Sequence, residues 1–262
     1  MDKIAGIAPE GLWAGTNEFG LVNLTRAVFP IVRKSPKGIS VHGTGFFVLR
    51  NGGFITARHV FDDGHEDLVI IELAEDRLFF ERKLIAVYHH PVNDISIGFA
   101  AQPVSSTTGE VHYNHVLRTA PECPPLGEPI ATYSHPLHEV LVGPAGASVR
   151  LDPQYFNGTL KERYDHRGPS GRLAAPYFLT DLHLYGASSG GPIVSTRGAA
   201  FAVACTSYAG EPDLSFVTPI SLAGDIPIPN ADPDGAGART LTMREVVGLM
   251  FRKWPAKDQS RL

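Results

Sequence analysis

The chain has little cysteine: two in 262 residues, Cys123 and Cys205, alongside three methionines and two tryptophans. So few thiols exclude a disulfide framework, and nothing in their placement marks them as a pair. Lone thiols fit a reducing compartment, so a cytoplasmic location is expected. No apolar run approaches the ~20 residues of a membrane span, and none near Met1 suits a secretory leader, so no membrane association is expected. Blocks of like charge are also missing. Lys and Arg total 23 against 27 Asp and Glu, a net charge of −4. The richest basic stretch, Lys161 to Arg172, also contains Glu162 and Asp165, so no nucleic-acid partner is expected. Helical periods alternating with strands are absent too, which disfavours a parallel α/β sheet.

What the chain has instead is punctuation. Its 27 glycines and 21 prolines fall between short apolar runs, while 43% of residues are hydrophobic and 19% charged. That is the texture of an all-β protein with many tight turns. A first series of strand-like runs extends from Leu21–Val32 to Asp94–Phe99, with a hairpin signal at Asn51-Gly52-Gly53. A second extends from Pro129–Tyr133 to Phe216–Thr218. Two series of about six strands, joined by a proline-rich connector, predict two antiparallel barrels.

The expected organisation is an irregular N-terminal arm (1–19), a first barrel (20–118), a connector (119–126), a second barrel (127–222) and a C-terminal tail (223–262). The polar insert Asp152–Arg172 is expected to be a surface loop. Thr242-Met243-Arg244-Glu245 forms a capping box ahead of an amphipathic helix to Lys253, expected to pack on the second barrel. No internal sequence repeat is found.

Gly186-Ala187-Ser188-Ser189-Gly190-Gly191-Pro192 carries the most chemical information. Small residues around a serine let the backbone turn sharply, expose a hydroxyl and aim successive N–H groups into one concavity, as an oxyanion requires. Gly186 to Ser188 to Gly190 also fits the nucleophile elbow of α/β-hydrolases, with Ser188 as nucleophile. That fold places its histidine after the serine. The last of the eleven histidines here is His183, so the elbow reading fails and Ser189 is preferred.

Upstream, Gly43-Thr44-Gly45-Phe46-Phe47-Val48 leads through the Asn-Gly-Gly turn into Phe54-Ile55-Thr56-Ala57-Arg58-His59. An imidazole at a strand end has the rigidity and access a general base needs. His90-Pro91-Val92-Asn93-Asp94-Ile95 then places a carboxylate at the start of an alternating strand, where it can orient the imidazole. Asp62 and Asp63 are too near His59 in sequence to reach across a barrel, and Asp152 and Asp165 lie in the polar insert.

Together these segments resemble the trypsin-like (chymotrypsin-fold) serine proteases, and among them the HtrA-type and related bacterial enzymes, without a PDZ-like extension. The likeness spans about residues 20–222: Gly43–His59 is similar to the Gly-x-Gly-Phe…Thr-Ala-x-His segment, His90–Ile97 to His-Pro…Asp-Ile, and Ser189–Pro192 to Ser-Gly-Gly-Pro. It implies a chymotrypsin-like pair of six-stranded barrels and a His59–Asp94–Ser189 triad. It further implies an oxyanion hole from the N–H groups of Ala187, Ser189 and Ser188, and a strand Ser207-Tyr208-Ala209 that pairs with polypeptide substrate. His183 is implied near the base of the primary pocket, with Leu214 and Phe216 in its wall. Two departures matter. Ala187 stands where the family usually has glycine, and Ser188 replaces the aspartate of digestive members. A regulatory protein partner, or activation by substrate, is the expectation these departures raise. The alternative is a catalytically weak protease-fold binding module.

No cofactor is expected. His89-His90 and His135…His138 lack companions at ligand spacing for a metal, and Gly143–Ala147 lacks the Lys-Ser/Thr of a phosphate loop.

Overall fold

The computed structural model describes residues 7–8, 13–17, 20–35, 38–73, 79–104, 108–143, 146–166, 168–170, 173–208, 211–232 and 235–253. Part of the N-terminal arm is regular, contrary to expectation. β1 (Ile7–Ala8), β2 (Trp13–Asn17) and β3 (Gly20–Asn23) form a small antiparallel sheet. A single helical turn, α1 (Leu24–Ala27), then interrupts what the sequence presents as one apolar run. Leu24 and Ala27 are both buried, so the turn anchors the chain where it enters the first barrel.

That barrel comprises β4 (Val28–Ser35), β5 (Gly38–Phe47), β6 (Gly53–Thr56), β7 (Leu68–Leu73), β8 (Phe79–His89) and β9 (Ser96–Ala100). It closes in the order β4-β5-β6-β9-β8-β7. Inward-facing aromatic rings fill it. Phe29 lies 4.4 Å from Phe47 and edge-on to Phe54 at 5.5 Å, centroid to centroid. At one end sits a buried polar network that composition does not reveal. Arg82 Nη1 meets Glu72 Oε2 at 2.7 Å, Arg82 Nε donates to the Ala101 carbonyl at 2.6 Å, and Asn114 Nδ2 donates to Glu72 Oε1 at 3.0 Å. The network ties the segment after β9 to strands β7 and β8.

The second barrel comprises β10 (Pro129–Gly143), β11 (Gly146–Tyr164), β12 (Tyr177–Thr180), β13 (Pro192–Ser195), β14 (Ala200–Tyr208) and β15 (Glu211–Pro219), closed as β10-β11-β12-β15-β14-β13. Counted from each barrel's own first strand, the two windings are identical. The barrels therefore share one topology although no repeat is visible in the sequence. The expected loop at Asp152–Arg172 is corrected over most of its length. Residues 152–164 continue β11, and Pro129–Ser134 of β10 pair with Gln154–Thr159. The segment reads as polar because most of its side chains between Asp152 and Tyr164 are exposed or only half-buried. A strand with few core-facing positions lacks the apolar alternation that announces one.

Between the barrels the chain is pinned to both. Leu117 N–H donates to Phe47 C=O at 2.8 Å, and Ala120 N–H to Ala200 C=O at 2.8 Å. After β15 come a 3₁₀ turn (Ile220–Asp225), the hairpin β16 (Pro227–Ala231) and β17 (Arg239–Thr242), and α2 (Met243–Lys253). The capping box forms as read: Thr242 N–H donates to Glu245 Oε2 at 2.7 Å, and Glu245 N–H to Thr242 Oγ1 at 3.3 Å. The docking surface of α2 extends beyond the second barrel expected from sequence. Met243, Val246 and Val247 join, through Ile220, Ala223, Ile226 and Ile228, the apolar cluster that combines the first barrel's core with Ala131, Val194 and Val203 of the second, instead of the cluster around Ile130, Leu160 and Phe201. The tail thus returns across the molecule and straps the two halves together.

Candidate active site

β6 carries the base candidate to the cleft. The strand is wholly buried and ends at Thr56; Ala57 is buried, and a 3₁₀ turn, Arg58–Phe61, follows. Val60 and Phe61 of that turn point into the core, which turns the His59 side chain outward, 39% exposed.

Asp94 sits in the short connection between β8 and β9. Its Oδ2 lies 2.8 Å from His59 Nδ1, and its Oδ1 accepts the His59 backbone N–H at 3.0 Å. One carboxylate therefore fixes both the ring and the main chain of the histidine. Burial on its own would raise the Asp94 pKa, but the hydrogen bonds and charge of His59 outweigh it and hold the carboxyl below its ordinary value. The turn bearing Asp94 is shaped by His90, which opens the motif without an assigned role, and by Arg58. His90 Nδ1 accepts the N–H groups of Val92 (3.2 Å) and Asn93 (2.9 Å), and Arg58 Nη1 donates to the carbonyls of His90 and Pro91. An accepting Nδ1 carries no proton, and burial correspondingly lowers the His90 pKa.

The serine segment comes from the second barrel and is stitched to the first. Thr44, in β5, donates its N–H to Ser189 C=O at 2.8 Å and its Oγ1–H to Ala187 C=O at 2.8 Å. The same Oγ1 accepts His135 N–H at 3.1 Å, and Thr56 Oγ1 donates to Thr44 C=O at 2.7 Å. The approach is so close that a side chain at Gly190 (φ +91°) would put its Cβ 2.0 Å from both Thr44 O and Thr56 Oγ1. Glycine is required there.

The two serines have opposite environments. Ser188 is fully buried, its hydroxyl accepts from Ser134 Oγ at 3.1 Å, and its N–H donates to Tyr185 C=O at 3.1 Å. Its N–H is therefore spent inside the protein, and the expectation that it joins the oxyanion donors is corrected. Ser189 lines the cleft. Its hydroxyl is donated to Cys205 C=O at 2.8 Å, not to the imidazole. Among the described residues, no hydrogen-bond acceptor is found for the N–H groups of Ala187 and Ser189. Ala187 adopts φ +63°, the left-handed region that a glycine enters without strain and an alanine enters at a cost of roughly 1–2 kcal/mol.

Cys205 is the residue that sequence reading most undervalued. Its carbonyl holds the Ser189 hydroxyl, while its Sγ lies 3.1 Å from Thr218 Oγ1 and 3.6 Å from the Asp94 backbone oxygen. Burial first, and then the Asp94 charge, keep its thiol pKa well above the ordinary value. Cys205 is thus a neutral, buried spacer between the acid and the serine. Cys123, in the connector, is half-buried and likewise unpaired.

His59, Asp94, Ser189 and Cys205 share one cleft of about 700 Å³, whose other walls include Leu184–Gly186, Thr206 and Ser207. His183 is not among the lining residues. Its Nδ1 lies 2.9 Å from Asp213 Oδ1, and its ring sits 4.3 Å from that of Tyr185, tilted by 50°. The partner the structure gives this imidazole is the exposed Asp213. Leu214 is half-buried and Phe216 buried, and neither lines the cleft. Tyr208 closes β14 opposite Glu211, and Ala209 lies outside the described residues.

Two closed six-stranded barrels with this cleft between them define the chymotrypsin-like class of double-barrel proteins. Residues 43–203 match the family model for the trypsin-like peptidase domain, which is more than half of the chain. The chain belongs to that family and is a trypsin-like serine protease. Similar solved structures agree in fold. The active form of Rv3671c protease from M. tuberculosis is 15% identical over 76% of this chain and 78% of its own, with a TM-score of 0.53. Deg5 is 17% identical over 75% and 84%, with a TM-score of 0.53. The serine endoprotease from Yersinia pestis is 19% identical over 76% and 62%, with a TM-score of 0.50. No curated protein matches the chain in sequence.

Proposed function

We propose that the protein hydrolyses peptide bonds in polypeptide substrates through an acyl-enzyme on Ser189. His59 takes the hydroxyl proton and returns it to the leaving amine, and Asp94 holds His59 in the required tautomer. The N–H groups of Ala187 and Ser189 receive the oxyanion. The observation that carries this reading is the two-point grip of Asp94 on His59, beside a cleft that also admits the Ser189 hydroxyl. β13 pairs with β14 only as far as Val203, so the edge from Cys205 to Tyr208 is the place for an extended substrate to add as a strand.

The Ser189 hydroxyl rests on Cys205 C=O and must rotate toward His59 to react. This favours a free enzyme of low activity. Substrate, or a protein partner that selects the engaged conformation, raises it. Two unpaired thiols support a cytoplasmic setting.

A fluorophosphonate probe tests the chemistry. It is expected to label wild-type protein and Ser188→Ala, and to fail on Ser189→Ala, with all three folded by circular dichroism. Labelling of Ser189→Ala, or its loss in Ser188→Ala alone, would make Ser188 the nucleophile. A folded wild type that neither labels nor cleaves would support a binding module instead.

A further inference from the structure

His90 closes the turn, His90 to Ile95, that carries Asp94. Its N–H donates to Ile95 C=O at 3.0 Å, and its C=O accepts Arg58 Nη1 at 3.0 Å. Its Nδ1 accepts the N–H groups of Val92 at 3.2 Å and Asn93 at 2.9 Å. Accepting from the residues two and three positions ahead is the geometry of an Asx turn, which Asn or Asp ordinarily supplies. An imidazole Nδ1 and an amide Oδ1 are both bonded to Cγ, so their reach is the same. The far side of the turn is anchored separately. Ile95 is fully buried, and Asn93 Nδ2 donates to the carbonyls of Ala174 (2.9 Å) and Ala175 (3.3 Å) in the second barrel. Pro91 and Val92 are exposed. Among the described residues, the hydrogen bonds that hold this outer half come from His90 and Arg58.

We infer that His90 is a positioning residue for Asp94 and holds the turn only while its Nδ1 is unprotonated, so that the reaction carries the pH dependence of a second imidazole beside His59. This rests on the reading of His59, Asp94 and Ser189 as the triad. A neutral imidazole accepts at one nitrogen, whereas both nitrogens donate once it is charged. A protonated His90 sets a third N–H against those of Val92 and Asn93, and the turn must open there. Asp94 then loses the placement that lets its two oxygens meet the His59 ring and main chain together. Burial, the largest influence, opposes a charge on His90, and so does Arg58 of the 3₁₀ turn after β6. Asp225, of the 3₁₀ turn before β16, favours one, but Arg244 of α2 already pairs with it at 3.0 Å. The outcome is a pKa below the ordinary 6.5. The grip is therefore intact at neutral pH and is lost as the pH falls through that lowered value.

The test compares wild type, His90→Asn and His90→Leu by the rate constant of fluorophosphonate labelling. The His59 Nδ1 proton is followed by NMR, as the downfield signal of its hydrogen bond to Asp94. Asparagine keeps the acceptor and cannot titrate, whereas leucine removes it. At neutral pH, His90→Asn is expected to label within about threefold of wild type, and His90→Leu about 10- to 100-fold more slowly, with its downfield signal shifted or broadened. On acidification, over the range where circular dichroism shows both proteins folded, the wild-type rate is expected to approach the slope of two protons and His90→Asn that of one. A folded His90→Leu that matches wild type in rate and in downfield signal overturns the positioning role. Superimposable acid limbs for wild type and His90→Asn overturn the proton dependence, and they alone decide if the leucine variant does not fold. A folded wild type that does not label at all would instead overturn the triad reading, and this inference with it.

Discussion

Thr44 of the first barrel donates its backbone N–H to the carbonyl of Ser189 in the second, across 2.8 Å. Its hydroxyl simultaneously grips Ala187 C=O. The position of the serine relative to His59 therefore depends on a residue whose own hydrogen bonds go to Ser189, Ala187, His135 and Thr56. The serine segment is held by its carbonyls, while its N–H groups at Ala187 and Ser189 have no acceptor among the described residues.

Replacing Thr44 by Val keeps the shape and removes the hydroxyl, leaving Ala187 C=O and His135 N–H without that partner. The expected loss is about 1–3 kcal/mol of stability, with kcat falling more than KM changes. Urea unfolding and steady-state kinetics measure both. A Thr44→Val protein with unaltered midpoint and kcat would show that the inter-barrel stitch is dispensable.

Ala187 at φ +63° is strained in a way that glycine is not. Ala187→Gly is expected to leave stability unchanged or raised by about 1 kcal/mol, because relief of the left-handed strain offsets the extra unfolded-state entropy of glycine. Hydrolysis of short peptides should rise with it, since the loop then holds its conformation without cost. Ala187→Val should lower both. Equal activities across the three proteins would remove strain at 187 as a cause of the low basal rate proposed above.

His135 is 1% exposed, and neither ring nitrogen has a hydrogen-bond partner among the described residues. Burial pushes its pKa down to about 4 from 6.5, and the nearby Val28 backbone only partly offsets this. Below pH 6.5 the unfolded chain takes up a proton that the folded protein refuses, so stability is complete above that pH. It falls on acidification until the folded ring protonates near pH 4. The accumulated loss is about 3 kcal/mol. His89, His90, His42 and His115 are lowered in the same direction by burial. His135→Leu should flatten part of the acid limb of a stability–pH curve while preserving stability at pH 7. An acid limb identical to wild type would contradict the assignment.

Arg82 and Glu72 are 1% and 3% exposed in their side chains. Arg82→Met leaves the Glu72 carboxylate buried without its guanidinium, with only the Asn114 amide and the His112 ring beside it, and is expected to cost about 3–5 kcal/mol. Adding Glu72→Met should recover much of that loss, because the desolvation cost disappears together with the pair. Chemical denaturation of the two variants decides it. A double variant no more stable than Arg82→Met would mean that packing, and not charge, dominates at this end of the barrel.

By itself the sequence determined everything that rests on neighbouring residues. The histidine after Thr56-Ala57, the aspartate before an alternating strand, the serine among glycines and the capping box at Thr242 are local patterns, and local patterns carry their own geometry. The two series of strands were legible for the same reason, since most are short apolar runs bounded by turn residues close in sequence. Tertiary structure alone decided what depends on partners far apart in the chain. The common winding of the barrels arises from strand pairing and leaves no trace in a sequence without a repeat. Residues 152–164 became strand because β10 supplied hydrogen bonds to a segment with little apolar alternation. His183 found its partner in Asp213, thirty residues on, and α2 docked where the apolar surface around Ile220 and Ile226 was there to be covered. Ser188 and Ser189 are adjacent and chemically identical. Burial against Ser134 on one side, and the open cleft on the other, gave them different fates.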